Sequence, residues 1–176
     1  MKHWLVGCLA VVLVACAGER HPVEWYIVRG NIELERGAAK KALAYYTRAN
    51  KLYPDEAICE YRLGSYYAIV TPEDHDTVIG WWRRAAAHGS SEAAYQLGRC
   101  CYWGLRGLGQ EAREAERWFT LAAEKGHPEA CELLVFMYRT GAGVPQNEEL
   151  AMRWRMLSWS VEPLWGEMDG LDLRCR

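Results

Sequence analysis

The sequence predicts an all-α fold, a right-handed α/α solenoid in which antiparallel helix pairs stack in a row. Tryptophans recur at Trp81, Trp118 and Trp154, which are 37 and then 36 residues apart. The phrase AAYQLGRCCYWG at 93–104 returns at 130–141 as ACELLVFMYRTG, again 37 residues later. The corresponding residues Ala93, Leu97 and Cys101 in the first phrase, and Ala130, Leu134 and Tyr138 in the second, are four apart, which places them on one side of a helix. Because a single helix pair cannot bury both of its faces, units that repeat in this way must stack on one another.

The N-terminal residues 1–15 read as a secretory signal, with Lys2 before an apolar run that is too short for a permanent membrane helix. The run ends in LVAC, which resembles a bacterial lipobox with Cys16 as the lipidated first residue of the mature chain. Ala17 follows instead of aspartate, and the resemblance then implies sorting to the outer membrane, facing the periplasm. An ordinary secretion signal, or a buried anchor with an incidental cysteine, is the alternative. Residues 16–21 would be a short linker.

The segment 22–56 is predicted to be the first layer of the stack. It resembles a tetratricopeptide unit, because six positions fit that pattern in register: Trp25, Gly30, Ala42, Tyr46, Ala49 and Pro54. Gly37 separates its two helices.

Residues 57–160 resemble the Sel-like repeat family in about three copies. The pattern is A-x-x-x-L-G-x-x-Y-x-x-G on the first helix and A-x-x-W-x-x-x-A-A-x-x-G on the second. The loops vary: the first copy has Val70-Thr71-Pro72-Glu73, the second has GLRGLGQ, and the third keeps a glycine loop but places Ser158 and Trp159 where alanines are expected. On the second helices the repeated tryptophan, such as Trp118, is expected to lie between layers.

Local signals mark the helix ends. Gly126 fits a left-handed helix terminus and Pro128 the first turn of the next helix. Thr71 and Asn147 are expected to be N-caps. Residues 161–176 would be a tail that covers the last layer through Leu164 and Trp165.

Composition narrows the function. The 176 residues suffice for one domain, and a net charge of −2 disfavours strong nucleic-acid binding, which needs clustered cations. Beyond Cys16 five cysteines remain, so at least one is unpaired in an oxidising compartment. Cys59, Cys101 and Cys131 are expected to be small core residues, while the adjacent Cys100 and Cys101 point to different helix faces and cannot easily bridge each other.

Candidate chemistry is sparse, and we expect no catalytic residue, metal site or cofactor. The acidic run at 73–76 is typical of a helix N-terminus, and His88 and His127 are expected to contact terminal carbonyls or solvent. The patterns S-x-x-K, G-x-S-x-G and H-E-x-x-H do not occur in the sequence. Some bacterial Sel-like repeat proteins have been described as acting on β-lactams, so an enzyme for β-lactam or peptidoglycan-type substrates stays an alternative.

The resemblance to helical-pair repeats implies that the first helix of each pair lines a concave groove. The sequence then predicts an adaptor that holds a protein or peptide partner in the assembly of an envelope, secretion or polysaccharide-export complex. A structural subunit that binds through its convex face is a further alternative. The predicted groove residues are Tyr61, Ser65, Glu92, Tyr95, Arg99, Tyr102, Trp103, Glu129, Glu132, Phe136 and Arg139.

Overall fold

The computed structural model describes residues 21–161, and this part of the chain contains eight α-helices and no strand. The helices are α1 (Val23–Glu35), α2 (Ala39–Leu52), α3 (Ala57–Val70), α4 (His75–Ala87), α5 (Ser91–Trp103), α6 (Ala112–Glu124), α7 (Pro128–Thr140) and α8 (Glu148–Val161). Each odd-numbered helix packs most extensively on the even-numbered helix that follows it, and each pair packs on the next. The predicted all-α solenoid is confirmed.

A glycine on the first helix and an aromatic ring on the second hold three successive pairs together. Tyr46 lies on Gly30, Trp82 on Gly64 and Phe119 on Gly98. A Cβ atom on these glycines would lie 2.3, 2.5 and 2.6 Å from the nearest ring atom, so no other residue fits without movement. The small residue brings the two helices close, and the ring fills the space between them.

The fourth pair breaks this rule. A shift of 37 residues takes Gly98 to Val135, and a shift of 36 takes Phe119 to Arg155. Val135 is half-buried and Arg155 is exposed. The last pair therefore packs without the ring-on-glycine contact of the other three.

The core consists of two clusters, one within α1–α3 and one that runs from α4 to α8. The predicted stripes of the first helices are buried, with Ala93, Leu97 and Leu134 at most 1% exposed. The repeated tryptophan is not the main buried ring, however. Trp118 is half-buried, while its neighbour Phe119 is fully buried and contacts the glycine. A helix turns by about 100° per residue, so only one of two adjacent aromatics can face the partner helix.

Helix ends follow the predicted chemistry with one exception. Gly126 has φ of 85°, Pro128 opens α7, and the Asn147 side chain accepts a hydrogen bond from the Leu150 amide at 3.0 Å. The expectation that Thr71 caps α4 is wrong. Its hydroxyl donates back to the Tyr67 carbonyl at 3.3 Å. The N-cap of α4 is Asp74, three residues later, which accepts from the Thr77 amide at 3.2 Å.

Arg106, in the loop before α6, joins two pairs of the stack. Its backbone has φ of 53°, a conformation that non-glycine residues rarely adopt. From there the guanidinium donates to the carbonyls of Pro72 at 3.3 Å and Ala68 at 3.5 Å, and it lies 5.4 Å from the ring centroid of Trp82. The contacts of the side chain with the preceding pair compensate for the strained backbone.

The predictions for residues 1–15, the lipidation of Cys16 and the capping role of Leu164 and Trp165 lie outside the described residues. Within 21–161, none of the helices combines the length and the apolar character that a membrane span requires.

Candidate protein-interaction surface

The first helices α3, α5 and α7 each expose one side to solvent, opposite the buried stripe. We call this side the first-helix surface. On α5 the exposed positions Glu92 and Trp103 and the half-buried Gln96 and Arg99 lie at intervals of three or four residues, while Ala93, Leu97 and Cys101 face the core. Spacing of this kind places side chains in one row along a helix. The surface comprises Tyr61, Ser65, Ile69, Glu92, Tyr95, Gln96, Arg99, Trp103, Glu129, Glu132, Phe136 and Arg139.

Arg99 occupies the middle of the α5 row, between two aromatic rings. Its guanidinium carbon lies 5.7 Å from the centroid of Tyr95 and 5.7 Å from that of Trp103, which are four residues before and after it. One guanidinium nitrogen donates to the Gln96 side-chain oxygen at 3.3 Å. These contacts restrict a long side chain that would otherwise lose rotamer freedom on binding. Arginine and aromatic residues are also the types that carry most of the energy of protein interfaces.

Three large apolar side chains on successive first helices are exposed to solvent. Ile69 is 65% exposed, Trp103 46% and Phe136 50%. Each belongs to a helix whose opposite side is fully packed, so their exposure does not arise from a missing core. Exposed apolar side chains on the same side of the stack as Arg99 and the carboxylates of Glu92 and Glu132 have the composition of a protein-binding surface.

The remaining predicted groove residues divide by position. Glu129, Glu132 and Arg139 are exposed on α7, and Tyr61 is half-buried on α3 beneath the guanidinium of Arg62 at 5.8 Å. Tyr102 turns toward α6, the other helix of its own pair, with its ring centroid 4.9 Å from that of Trp103 and 6.3 Å from that of Phe119. Tyr102 therefore supports the surface from behind more than it lines it.

Sequence reasoning missed Ile69 and Gln96. Ile69 lies 34 residues before Trp103, the same offset that relates the first-helix pattern of α3 to that of α5. This offset could have predicted from the sequence that Ile69 is exposed beside Trp103. Gln96 lies three residues before Arg99 and four after Glu92, so its place in the row follows from helix geometry alone.

Glu92, at the N-terminal end of the α5 row, is held as a carboxylate. Burial alone would raise its pKa, but hydrogen bonds from its own backbone amide and from the hydroxyls of Ser90 and Ser91, at 3.1 and 3.2 Å, lower the pKa below its ordinary value. A fixed negative charge at the first turn of a helix also suits the helix dipole.

His88 and His127 were expected to contact terminal carbonyls or solvent. His88 is exposed to solvent as expected, but both rings also meet carboxylates, which the sequence did not predict. His88 Nδ1 lies 2.7 Å from an oxygen of Glu60, a fully buried carboxylate whose other oxygen lies 2.9 Å from Arg84. This cluster joins α3 to α4, because a buried carboxylate must have charged or hydrogen-bonding partners.

His127 stacks on Tyr95 with ring centroids 4.3 Å apart, and its Nδ1 lies 3.1 Å from Glu129. Burial lowers the pKa of His127, and the nearby carboxylates of Glu129 and Glu92 oppose that shift in part. Sequence alone gave no sign of this contact, because the partner ring comes from the preceding pair.

The four cysteines in the described part of the chain are all buried thiols that form no disulfide. Cys59, Cys101 and Cys131 lie in the core as predicted, and Cys100 is buried beside them. Burial, together with nearby carboxylates, raises the pKa of Cys59 and of Cys101 to about 11. These thiols stay protonated at neutral pH, where a thiol is a poor nucleophile and a poor metal ligand.

No group of three or more His, Cys, Asp or Glu residues within 21–161 is placed to hold a metal ion. The acidic run at 73–76 supplies the Asp74 cap of α4 instead. What the geometry offers is a surface of exposed apolar, aromatic and charged side chains on a rigid stack of helices.

Comparison with known proteins agrees with this architecture. The model of the Sel1 repeat family matches residues 34–53, 57–90, 91–127 and 128–154. The chain belongs to the Sel1 repeat family. Its fold resembles the crystal structure of a Sel1 repeat protein from Oxalobacter formigenes, with a TM-score of 0.67 and 21% sequence identity over 81% of this chain and 59% of that one.

Two curated relatives of this Sel1 repeat chain are plant proteins. The chain is 41% identical over 71 residues to the ERAD-associated E3 ubiquitin-protein ligase component HRD3A of Arabidopsis thaliana, and 26% identical over 134 residues to HRD3B. The matches cover 40% and 68% of this chain but only 10% and 22% of the relatives' lengths. Sel1 repeats mediate contacts between proteins, so membership of the family indicates a protein-interaction scaffold.

Proposed function

We propose that this Sel1 repeat protein is a lipid-anchored, periplasm-facing adaptor that holds a segment of a partner protein along its first-helix surface. The observation that carries the proposal is the exposure of Ile69, Trp103 and Phe136 on three successive first helices, with Arg99 held between two rings. An extended peptide or a partner helix that crosses the three helices can bury these side chains. The lipobox-like sequence that ends at Cys16 supports attachment to the outer membrane.

The partner is proposed to belong to a complex of the cell envelope, in secretion or polysaccharide export. A membrane-attached scaffold without enzymatic activity of its own acts by raising the local concentration of the components it binds. The fixed charges of Glu92 and Arg99 would orient the partner, and the exposed apolar side chains would supply most of the buried area.

A crosslinked pull-down from bacterial envelopes tests the proposal. The chain is compared with an Arg99→Ala, Trp103→Ala, Phe136→Ala triple variant, and circular dichroism confirms that both are folded. The matched control substitutes exposed residues of α6, Arg117→Ala and Glu124→Ala, on the other side of the stack. We expect a partner that the chain and the control capture and that the triple variant loses.

Each other outcome contradicts a part of the proposal. A partner that the triple variant keeps and the α6 control loses would move binding to the second helices. If neither the unaltered chain nor the α6 control captures a partner, and the chain turns over a β-lactam or a cell-wall fragment, the protein is an enzyme and not an adaptor.

A further inference from the structure

The N-terminal end of the stack carries a second surface, formed where α1 begins beside α2. His21 and Trp25 lie there next to Lys41, Ala44 and Arg48 around a shallow depression of about 540 Å³. The His21 ring stacks on Trp25 with centroids 4.2 Å apart. We call this the end surface.

Helix α2 brings only positive charge to the end surface. Its charged residues are Lys40, Lys41, Arg48 and Lys51, all of them exposed, and the helix has no Asp or Glu. Lys41, Arg48 and Lys51 are seven and three residues apart, so they fall in one row on the solvent side of the helix. The equivalent second helix α6 differs, because it carries three glutamates beside its two arginines.

Aromatic rings border the row of cations. Trp25 meets Tyr45 edge to face with centroids 5.8 Å apart, and the guanidinium of Arg29 lies 5.5 Å from the Trp25 ring centroid. Tryptophan and tyrosine favour the boundary between lipid headgroups and acyl chains, where one part of the ring system is apolar and the other is hydrated. Lysine and arginine are attracted to the negative charge of anionic lipids.

The end surface also lies close to the proposed point of attachment. Cys16 precedes His21 by five residues, and five extended residues reach at most about 17 Å. Whatever holds Cys16 at a bilayer therefore holds this end of the stack within reach of the headgroups.

We propose that the end surface rests on anionic phospholipid headgroups, so that the stack stands on the membrane with its first-helix surface raised toward the periplasm. The cations of α2 contact lipid phosphates, and Trp25 and Tyr45 enter the headgroup region. This inference rests on the membrane attachment in the proposed function, but it adds an orientation and a lipid requirement that a tether alone does not impose.

Photo-crosslinking of the full chain in lipid vesicles tests the orientation. The chain is purified from bacterial membranes and placed in vesicles of phosphatidylcholine, with or without an equal part of phosphatidylglycerol. Benzoylphenylalanine replaces Ala44 on the end surface or, in a second sample, Met156 on α8, which is 69% exposed at the other end of the stack. Mass spectrometry measures the yield of lipid adducts.

We expect lipid adducts at the Ala44 position, only in the vesicles that contain phosphatidylglycerol, and a much lower yield at the Met156 position. A Lys41→Glu, Arg48→Glu variant should lose most of the adduct although its tether is intact. The matched control, Arg153→Glu with Arg155→Glu, makes the same change of charge on α8 and should keep it.

Several results would overturn the proposal. They are equal yields at the two positions, equal yields with and without phosphatidylglycerol, or a yield that the Lys41→Glu, Arg48→Glu variant retains. If that variant does not fold, the lipid-adduct yield of the unaltered chain is measured at low and at high salt instead. A contact between charges is screened by salt, so a yield that high salt does not reduce would also overturn the proposal. The mass of the Cys16 peptide tests lipidation separately, and partner capture by the variant tests the adaptor function separately.

Discussion

The ring-on-glycine contact between Gly98 and Phe119 decides whether an alanine at position 98 raises or lowers the free energy of unfolding. We expect Gly98→Ala to destabilise the fold, although alanine is the better helix former. A Cβ atom at position 98 would lie 2.6 Å from two atoms of the Phe119 ring, where neither the ring nor the helix backbone can easily yield. The substitution should gain about 0.8–1 kcal/mol of helix propensity and lose about 1–3 kcal/mol to overpacking.

A control glycine separates the gain in helix propensity from the loss through overpacking. Gly80 also lies within a helix, on the exposed side of α4, and a Cβ atom there would meet nothing within 4 Å. Gly80→Ala should therefore stabilise the chain by about 0.5–1 kcal/mol. If Phe119 is first replaced by leucine, the space above Gly98 opens. The effect of Gly98→Ala should then move toward that of Gly80→Ala.

Urea unfolding of the four variants, followed by far-ultraviolet circular dichroism, measures these differences through midpoint and slope. The coupling between positions 98 and 119 is the quantity of interest, and residues in contact show couplings of about 0.5–3 kcal/mol. The reasoning is refuted if Gly98→Ala stabilises the chain as much as Gly80→Ala does. It is also refuted if the effect is the same in the presence of phenylalanine and of leucine at position 119.

Three further predictions concern other contacts. Phe119→Ala should lower the free energy of unfolding by about 3–5 kcal/mol, because Phe119 is fully buried. Trp118→Ala should lower it by less, because Trp118 is half-exposed, and urea unfolding of the two variants would show which loses more stability. Burial lowers the pKa of His127 in the fold, so the unfolded chain binds its proton more readily and stability should fall as the pH drops below about 6.5. The drop in unfolding midpoint from about pH 7 to about pH 5 should shrink in His127→Gln. Cys59 and Cys101, whose thiols have pKa values near 11, should resist iodoacetamide in the native chain and react in urea, as peptide masses would reveal.

The sequence was sufficient to predict the solenoid because the stacking contacts recur at a fixed interval. Ala93, Leu97 and Cys101 reappear 37 residues later as Ala130, Leu134 and Tyr138, and both sets are buried. Each copy thus supplies independent support for the same helix and the same buried side. The repeat could not show which of two adjacent aromatic rings is buried. Trp118 and Phe119 both fit the helical spacing, and only the position of Gly98 in the neighbouring helix decides that Phe119 packs there.

Long-range contacts made by single side chains were beyond the reach of the sequence for a different reason. Glu60 meets His88 across 28 residues, and Arg106 reaches back 38 residues to the carbonyl of Ala68. Neither contact recurs in the next copy, so no periodicity reveals it. The exposed side of α5 was predictable from helix geometry, but its charge state was not, because the lowered pKa of Glu92 depends on hydrogen bonds from its own backbone amide and from two serines at the start of the helix.

The same comparison of copies bears on what the first-helix surface can bind. The buried positions repeat, but Ser65, Arg99 and Phe136 are equivalent positions of successive helices with three different chemistries. Ile69, Trp103 and Thr140 form a second such row. A polymer of identical units, such as a glycan strand, would meet equivalent contacts at equal intervals and would favour equivalent residues there. A surface whose chemistry changes from pair to pair fits a ligand whose own chemistry changes along its length, and a polypeptide of non-repetitive sequence has that property.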